Sequence, residues 1–413
     1  MAQAIAVSKP QLTSFPSFGT SSSFNTSSTF AASSRLRREA ASNNVTIDHQ
    51  AERKALLASV RGQTIRIPDL RPLSAHWPTK TNPDIDAMRV DIREWLDAYV
   101  PPPPSTQPPL TPPSTLPQGK VLFALQRSDF GLFGATWWPQ AKLDRLKIVT
   151  YLAVWLFTWD DEIDLNDGHL WDEFSAAQLY REQTLSYVRY TLGIDATPPT
   201  VTNRIILNFA PIGEACKQVY TLEQNKMVYE EMRFFMEMSE REQRLRLSGT
   251  IPSIDEFWHY RLGSSAVTVC LALNEFSWGN MHLPTDFYDD ESVKGIIQYT
   301  NTIISATNDL LSIKKEIKRD AIDSLIPIIF HHVGDIQMAV DEVVAFIGAE
   351  IKNLDRAAET LFERYEGEEE ELRRQVRDFV DGCKHYATGN LTWSLETDRY
   401  GVERVDGEII MTL

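Results

Sequence analysis

Cysteine is scarce in this chain, with only three among 413 residues. Cys216, Cys270 and Cys383 lie far apart and show neither the short spacings of a zinc site nor a disulfide framework, so we expect a reducing compartment. Long apolar runs are also missing, because no stretch of the sequence approaches the roughly 18 consecutive apolar residues of a membrane-spanning helix. Together these absences predict a cytoplasmic protein without a membrane span.

Basic residues are outnumbered as well. The chain has 41 Lys and Arg against 57 Asp and Glu, which gives a net charge of −16. Such a protein has no broad basic face to displace counterions from a nucleic-acid backbone, so we predict no nucleic-acid partner. An anionic substrate would need bound cations for the same reason. The hydrophobic fraction of 43% is that of a globular protein with a substantial core.

Period-two alternation, the pattern of half-buried strands, is essentially missing from the sequence. Helical periodicity dominates instead, and glycine and proline separate the periodic segments. The predicted helices cover residues 84–99, 141–162, 170–192, 202–245, 253–277, 291–319, 337–364 and 368–395. The fold class is therefore predicted to be all-α, in a single domain.

The remaining segments differ in composition. Residues 1–38 contain ten serines and no Asp or Glu, which fits a disordered tail or an organellar transit peptide, and both interpretations stay open. Residues 101–117 hold nine prolines and cannot form a helix. The predicted organisation is a Ser/Thr-rich tail over 1–45, an N-terminal segment over 46–100 that packs on the helices, a Pro-rich loop over 101–118, a helical domain over 119–401 and a C-terminal tail over 402–413.

Two polar stretches carry the clearest chemical signal. The first contains Asp160, Asp161 and Asp164. In a helix Asp164 lies four positions after Asp160 and three after Asp161, so their carboxylates share one face. The apolar residues one turn earlier, 155–157, indicate that this face turns toward the interior. Because like charges at this spacing repel, the cluster needs a counter-charge.

The second stretch contains Asn308, Ser312 and Glu316, which step by four. On a helix they form an oxygen-bearing stripe about 12 Å long. Mg²⁺ is the natural counter-charge for both stretches, because it binds a few carboxylate or hydroxyl oxygens, several waters and the oxygens of a phosphate ligand. The two stretches thus predict a magnesium site for a phosphate-bearing substrate.

These stretches resemble the metal motifs of class I terpene synthases. Asp160-Asp161-x-x-Asp164 looks like the aspartate-rich motif, and Asn308-Asp309-x-x-Ser312-x-x-Lys315-Glu316 is similar to the second motif of that family. Arg261, 47 residues before Asn308, stands where the family has its diphosphate-sensing arginine. Arg399-Tyr400, 83 residues after Glu316, resembles the C-terminal pair that contacts the diphosphate. The resemblance is clear over residues 120–401 and, through residues 389–394, is closest to the fungal sesquiterpene synthases.

The resemblance implies a helical bundle around a central active-site cavity. It implies the ionisation and cyclisation of farnesyl diphosphate to a sesquiterpene hydrocarbon or alcohol, with release of diphosphate. It also implies three Mg²⁺ ions, for which Mn²⁺ could substitute. The implied catalytic residues are Asp160, Asp161 and Arg261. The implied metal ligands are Asp160, Asp161, Asp164, Asn308, Ser312 and Glu316. The implied diphosphate-binding residues are Arg261, Lys315, Arg399 and Tyr400.

Two further expectations concern the walls of the cavity. Aromatic ring faces stabilise cations, and Phe157, Phe257 and Trp393 are predicted to line the cavity because they lie near the motifs. Residues 263–266 follow Arg261, at a point where the family has a helix break. The family often has glycine at the position of Ala266, and Ser264 is expected to fill a polar linking role.

Several alternatives stay open at this stage. A diterpene synthase acting on geranylgeranyl diphosphate would share the same motifs. A chain-elongating prenyltransferase is disfavoured, because it would carry a second aspartate-rich motif where this chain has Asn308 and Ser312. A non-enzymatic helical scaffold would turn both stripes outward. The expected partner is a small prenyl diphosphate, and the protein is expected to be a monomer or a homodimer. The product skeleton is left open.

Overall fold

The computed structural model describes residues 48–98, 125–164 and 170–413. The predicted tail over 1–45 and the Pro-rich loop over 101–118 lie outside these residues. Within them the all-α class is confirmed, since helices form nearly every regular element. Among the described residues, each helix is too short or too polar to cross a membrane.

The helices are defined as follows, in chain order. They are α1 (His49–Val60), α2 (Ile85–Ala98), α3 (Phe130–Trp137), α4 (Leu143–Asp164), α5 (Phe174–Thr191), α6 (Arg204–Leu207), α7 (Ala210–Val219), α8 (Leu222–Ser248), α9 (Ile254–Ser264), α10 (Val267–Leu271), α11 (Asn274–Trp278), α12 (Glu291–Lys318), α13 (Leu325–Val333), α14 (Ile336–Arg364) and α15 (Glu370–Glu396). Short 3₁₀ turns cover Arg71–Ser74 and Thr285–Asp289.

Two predicted helices were wrong in their continuity. The segment 202–245 is divided into α6, α7 and α8, because Thr221 starts a new helix with a capping box in which its side chain and that of Gln224 satisfy each other's backbone N–H groups. The segment 253–277 is divided into α9, α10 and α11. The break between α9 and α10 lies at Ala266, as the family resemblance implies.

Helix α12 lies at the centre of the bundle. Seventeen of its 28 residues are buried, so it is enclosed on most sides rather than along one stripe. It packs against α14, α15, α13 and the short α10. Its residues therefore face both the core and the functional site.

Helices α1, α3 and α13 were not predicted. The sequence of α3 contains Gly131 and Gly134, which are poor helix formers. Their role is close approach: a Cβ atom on Gly131 would lie 2.5 Å from Cγ of Arg89, and one on Gly134 would lie within van der Waals distance of the Thr150 side chain. Tertiary packing thus stabilises a helix that its own composition disfavours.

The segment expected as a C-terminal tail over 402–413 instead forms strands. Strands β2 (Arg404–Val405) and β3 (Glu408–Thr412) join β1 (Thr64–Ile67) in an antiparallel sheet with the order β1-β3-β2. Inward-facing Ile65 and Ile67 of β1 and Ile409 and Met411 of β3 are buried. The tail prediction was wrong because a five-residue strand whose partner lies some 340 residues away has no local signature.

Candidate active site

The predicted site residues lie around one cavity. Asp160 and Asp161 occupy the last turn of α4, and Asn308 lies in the C-terminal half of α12. Asp160 and Asn308 line the same space. A core face on α4 that includes the fully buried Trp155 and Trp159 orients this turn toward the interior, in agreement with the apolar residues that precede the aspartates.

The α4 wall is electrostatically frustrated. Burial, reinforced by the charges of Asp164, Glu242 and Asp161, raises the pKa of Asp160 well above its ordinary value. Asp161 contacts Arg399 at 3.5 Å. Asp164 lies 3.8 Å from an Arg246 nitrogen, and its side chain remains 42% exposed, so it is at the rim.

The α12 wall is held by hydrogen bonds. Asn308 accepts a bond from Arg261 at 3.1 Å and donates its amide N–H to the Tyr400 hydroxyl at 2.8 Å. Ser312 donates to Oε1 of Glu316 at 2.5 Å. Burial, followed by the charge of Asp309, raises the pKa of Glu316.

Arg261 is fixed by the residue beside Asn308. Its Nη2 donates to Oδ1 of Asp309 at 2.5 Å, and the other carboxylate oxygen of Asp309 accepts the backbone N–H of Leu325 at 2.9 Å. Burial would lower the pKa of Arg261, but the charges of Asp309, Glu242 and Glu316 outweigh it and raise the pKa. The guanidinium is therefore a permanent positive charge directed at the cavity.

The other predicted diphosphate ligands gather at the same end. Lys315, Arg399 and Tyr400 all line the polar part of the cavity. Burial, followed by repulsion from Arg399, lowers the pKa of Lys315 to about 7. Arg399 also lies over the ring of Phe157, with its guanidinium carbon 4.8 Å from the ring centre. The side chains of Lys315 and Arg399 therefore converge with that of Arg261 on the polar part of the cavity.

The cavity has two continuous parts. An apolar chamber and a polar mouth share Phe157, Asp160, Arg261 and Asn308. The chamber is lined mainly by Phe133, Trp137, Ala153, Leu156, Phe157, Phe235, Val267, Cys270 and Ile304. The shared residues therefore join an apolar space directly to a polar one.

Two of the three predicted cavity aromatics were wrong. Phe157 lines the cavity, but Phe257 and Trp393 are not among the described residues that do so. Phe257 packs against Trp258 and Tyr260 in the core. Trp393 lies behind Phe157, and its indole N–H donates to the Ser128 carbonyl at 2.6 Å. Proximity in sequence to a motif did not determine which side of the wall an aromatic faces.

The helix break after Arg261 is present and borders the chamber. Ala266 has a φ of +56°, in the left-handed region that disfavours residues with a Cβ atom. Ser264, two residues earlier, also lines the chamber, and its hydroxyl is buried. This position therefore adopts the conformation for which the family often uses glycine.

Sequence reasoning missed several residues of the site. Phe133 and Trp137 belong to α3, which was not predicted. Glu242 and Asp323 line the polar mouth, and burial together with the Asp164 charge raises the pKa of Glu242 to about 8. Neither acid belongs to a motif, and a lone acid on a helix reads as a surface residue, so no local signal could have identified them.

The residues present suit a small hard cation. No three His, Cys, Asp or Glu side chains of the described chain converge into a ready-made metal cluster. Mg²⁺ does not require one, because it commonly uses one or two carboxylates, water and substrate phosphate oxygens. Asp160 is a desolvated carboxylate among like charges, and Oε2 of Glu316 is buried without a well-aligned hydrogen-bond partner in the described chain. Both are oxygens that a cation would stabilise.

Comparisons with known proteins agree with this geometry. Residues 151–353 match the family model of terpene synthase family 2, C-terminal metal binding. The sesquiterpene cyclase hepA of Aspergillus oryzae is 34% identical over 362 residues, which cover 85% of this chain and 92% of the relative. The chain belongs to the terpene synthases. The silphinene synthase peniA of Penicillium patulum is another relative, 26% identical over 87% of this chain and 91% of its own.

Solved structures support the fold of this terpene synthase. Germacradien-4-ol synthase from Streptomyces citricolor superimposes with a TM-score of 0.64 at 16% identity, covering 77% of this chain and 96% of the other. An α-eudesmol synthase has a TM-score of 0.64 at 17% identity, covering 77% and 97%. At these identities the likeness establishes the all-α terpene synthase fold alone.

Proposed function

We propose that this terpene synthase ionises farnesyl diphosphate and cyclises it to a sesquiterpene, releasing diphosphate. The observation that carries the proposal is the direct junction, at Asp160, Arg261 and Asn308, of an apolar chamber with a polar mouth that brings acidic and basic side chains together. An isoprenoid chain fits the first environment and a diphosphate the second. The names of the relatives, which include a sesquiterpene cyclase and a silphinene synthase, support a C15 substrate.

Asp160, Asp161, Asn308, Ser312 and Glu316 would hold the metal, with Asp164 at the rim. Bound Mg²⁺, proposed as three ions and replaceable by Mn²⁺, would supply Lewis-acid stabilisation of the negative charge on the leaving group. The charge pattern supports this assignment, because an acidic wall and a phosphate can share one site only when cations lie between them.

The protein's own cations bind and orient the diphosphate in this proposal. Arg261 can hold phosphate oxygens through its planar guanidinium, and Asp309 keeps that guanidinium in place. Arg399 and Lys315 also line the mouth and add positive charge, and the Tyr400 hydroxyl can donate to an oxygen. Such groups are effective because they are oriented before the charge develops.

The chamber protects and shapes the cation that remains. Phe133, Trp137 and Phe157 line it, and their ring faces attract positive charge. Phe133 stacks with Trp137 at 4.3 Å between ring centres and meets Phe157 edge-on. Packing against its neighbours therefore restricts the orientation of each ring. An apolar wall also keeps out the water that would end the reaction early.

The test is to incubate the purified protein with farnesyl or geranylgeranyl diphosphate. The diphosphate released is measured, and the products are analysed by gas chromatography. We expect Mg²⁺-dependent release and a cyclic C15 product from farnesyl diphosphate. Asp160→Asn should abolish it, whereas Asp86→Asn, at a side chain that is 93% exposed on α2, should not. Equal activity of all three proteins, or no release from either substrate, would refute the proposal.

A further inference from the structure

One side of the polar mouth is a connecting segment rather than a helix. Residues 319–324 join α12 to α13, and Arg319, Ala321, Asp323 and Ser324 face the mouth. We call residues 319–324 the mouth linker. Asp320 within it has a φ of +63°, which is unusual for a residue with a side chain. A segment of this kind needs outside contacts to keep one conformation.

The mouth linker is continuous with the diphosphate-sensing machinery. The residue that follows the linker is Leu325, and its backbone N–H donates to Asp309 at 2.9 Å. Asp309 is in turn the partner of Arg261. A shift of the linker would therefore move the acceptor that orients Arg261. The linker also carries its own carboxylate, Asp323, into the space proposed for a polyanion.

Helix α1 and the residue that follows it make hydrogen bonds near both ends of the mouth linker. Arg53 donates to both carboxylate oxygens of Asp323, at 2.8 and 2.5 Å. Eight residues later, Arg61 donates to the Ile317 carbonyl at 3.3 Å and pairs with Asp320. Arg53 in α1 and Arg61, the residue that follows α1, thus contact the linker from a part of the chain 270 and 259 residues away in sequence.

The two pairs differ in strength. The side chains of Arg53 and Asp323 are only 12% and 13% exposed, whereas those of Arg61 and Asp320 are 48% and 61% exposed. Exposed ion pairs contribute little, but removing one partner of a buried pair leaves an uncompensated charge. Burial would lower the pKa of Arg53, and the hydrogen bond to Asp323 reverses that shift. Arg53 is therefore the stronger of the two attachments.

Helix α1 is itself well anchored. Leu56 and Val60 are buried in the common core, and α1 packs on α13. Just beyond it, the Gly62 N–H donates to the Leu413 carbonyl at 2.8 Å. The helix can therefore act as a fixed support for the linker.

We propose that Arg53 is a positioning residue of this terpene synthase: through its bidentate pair with Asp323, α1 holds the mouth linker in the form that accepts the metal–diphosphate group. Arg53 itself is not among the described residues that line the cavity. The inference rests on the proposed function for its substrate, but its binding test below does not require turnover.

The decisive variant is Arg53→Gln, which leaves the Asp323 charge buried and unpaired beside the mouth. We expect kcat/KM for farnesyl diphosphate to fall about 10- to 100-fold, mostly through KM and through a higher Mg²⁺ concentration for half-maximal rate. Arg53→Lys should recover part of the loss. Arg53→Gln combined with Asp323→Asn should be more active than Arg53→Gln alone, because the uncompensated charge is gone.

A matched control is Arg71→Gln, which breaks the exposed pair with Asp69 in the same N-terminal part of the chain. It should behave as the wild type. Thermal unfolding of every variant is recorded so that activities are compared at a temperature at which each is folded. A merely structural role would lower Tm without changing KM or the Mg²⁺ requirement of the folded protein, and that result would overturn the proposal.

Calorimetric binding of inorganic diphosphate with Mg²⁺ separates this inference from the proposed function. We expect Arg53→Gln to weaken that binding by about tenfold and Arg71→Gln to leave it unchanged. The wild type could bind diphosphate with Mg²⁺ but convert neither prenyl diphosphate. In that case the substrate proposal fails, while the difference in binding between the wild type and Arg53→Gln upholds the positioning role. Equal affinity of the wild type and Arg53→Gln would overturn the positioning role.

Discussion

The two walls of the polar mouth are built on different principles. On the α12 wall, Asn308, Ser312 and Glu316 each make a hydrogen bond to another site residue. On the α4 wall, Asp160 makes no hydrogen bond to any described residue, and Asp161 only approaches Arg399 at 3.5 Å. One wall is organised in advance, whereas the other carries repelling charges that need a cation. We therefore expect a substitution on the α4 wall to lower activity without lowering stability. Substitutions in the hydrogen-bonded network should lower activity without any gain in stability.

Asp160→Asn should give the largest effect on activity. We expect the rate of diphosphate release to fall by about 10³-fold or more, because the substitution removes a charged oxygen directed at the proposed metal. The fold should not suffer, since the substitution also removes a desolvated charge from among like charges. Turnover and thermal unfolding of the same preparation provide the measurement. A variant that keeps a tenth of wild-type activity would exclude Asp160 as a principal ligand.

The same variant gives a pH-dependent test of the frustration on the α4 wall. Burial and the neighbouring carboxylates raise the folded-state pKa of Asp160 above its ordinary value of 3.8, so ionising it destabilises the folded protein at neutral pH. With metal removed, Asp160→Asn should therefore unfold at a higher temperature than the wild type at pH 7. The gap should close as the pH falls below 3.8, where the carboxyl is protonated in the unfolded state as well as in the folded state. A gap that is independent of pH would contradict the shifted pKa.

Arg261→Gln should lose both activity and stability. We expect kcat/KM to fall about 10²-fold, because the proposed contact of the guanidinium with the phosphate would be lost. The free energy of unfolding should fall by about 3 kcal/mol, since Asp309, only 2% exposed, is left without its partner. Steady-state kinetics and denaturant unfolding measure the two. Arg261→Lys is the control that keeps the charge and should recover most of the stability but less of the activity.

Ser312→Ala should have a smaller effect. The substitution removes one of the proposed metal-ligand oxygens together with the hydrogen bond that orients Glu316, and the loss of such contacts typically costs metal sites about tenfold or more. We expect the Mg²⁺ concentration for half-maximal rate to rise about tenfold with little change in Tm. Thr at this position retains the hydroxyl and serves as the matched control. A change in kcat at saturating Mg²⁺ would argue against this role.

Tyr400→Phe should give the smallest effect of the series. It removes only the hydroxyl that accepts from Asn308 at 2.8 Å, and the ring remains packed against Trp393. A neutral hydrogen bond contributes about 0.5–1.5 kcal/mol, so kcat/KM should fall roughly 2- to 10-fold. A loss as large as that of Arg261→Gln would mean that the hydroxyl does more than hold Asn308 and donate to an oxygen of the diphosphate.

Sequence reasoning succeeded where one helix carries the whole signal. Asp160 and Asp161 lie on one helix, and Asn308 and Ser312 lie one turn apart on another, so each group is placed by its own helix. The apolar residues before the aspartates also indicate which way their side of the helix turns. It failed where a contact joins distant segments. The pair Arg53–Asp323 spans 270 residues, and neither partner stands in a pattern that indicates the other. Helix α3 was missed because its glycines serve packing against neighbours rather than helix propensity.

The pairing of β1 with β3 has a consequence for how the protein comes into being. Thr64 is opposite Thr412, so this ladder cannot form until both residues have been synthesised. Pairings between such remote segments form slowly. We therefore expect the sheet to form late in folding, after the helices, whose hydrogen bonds are local.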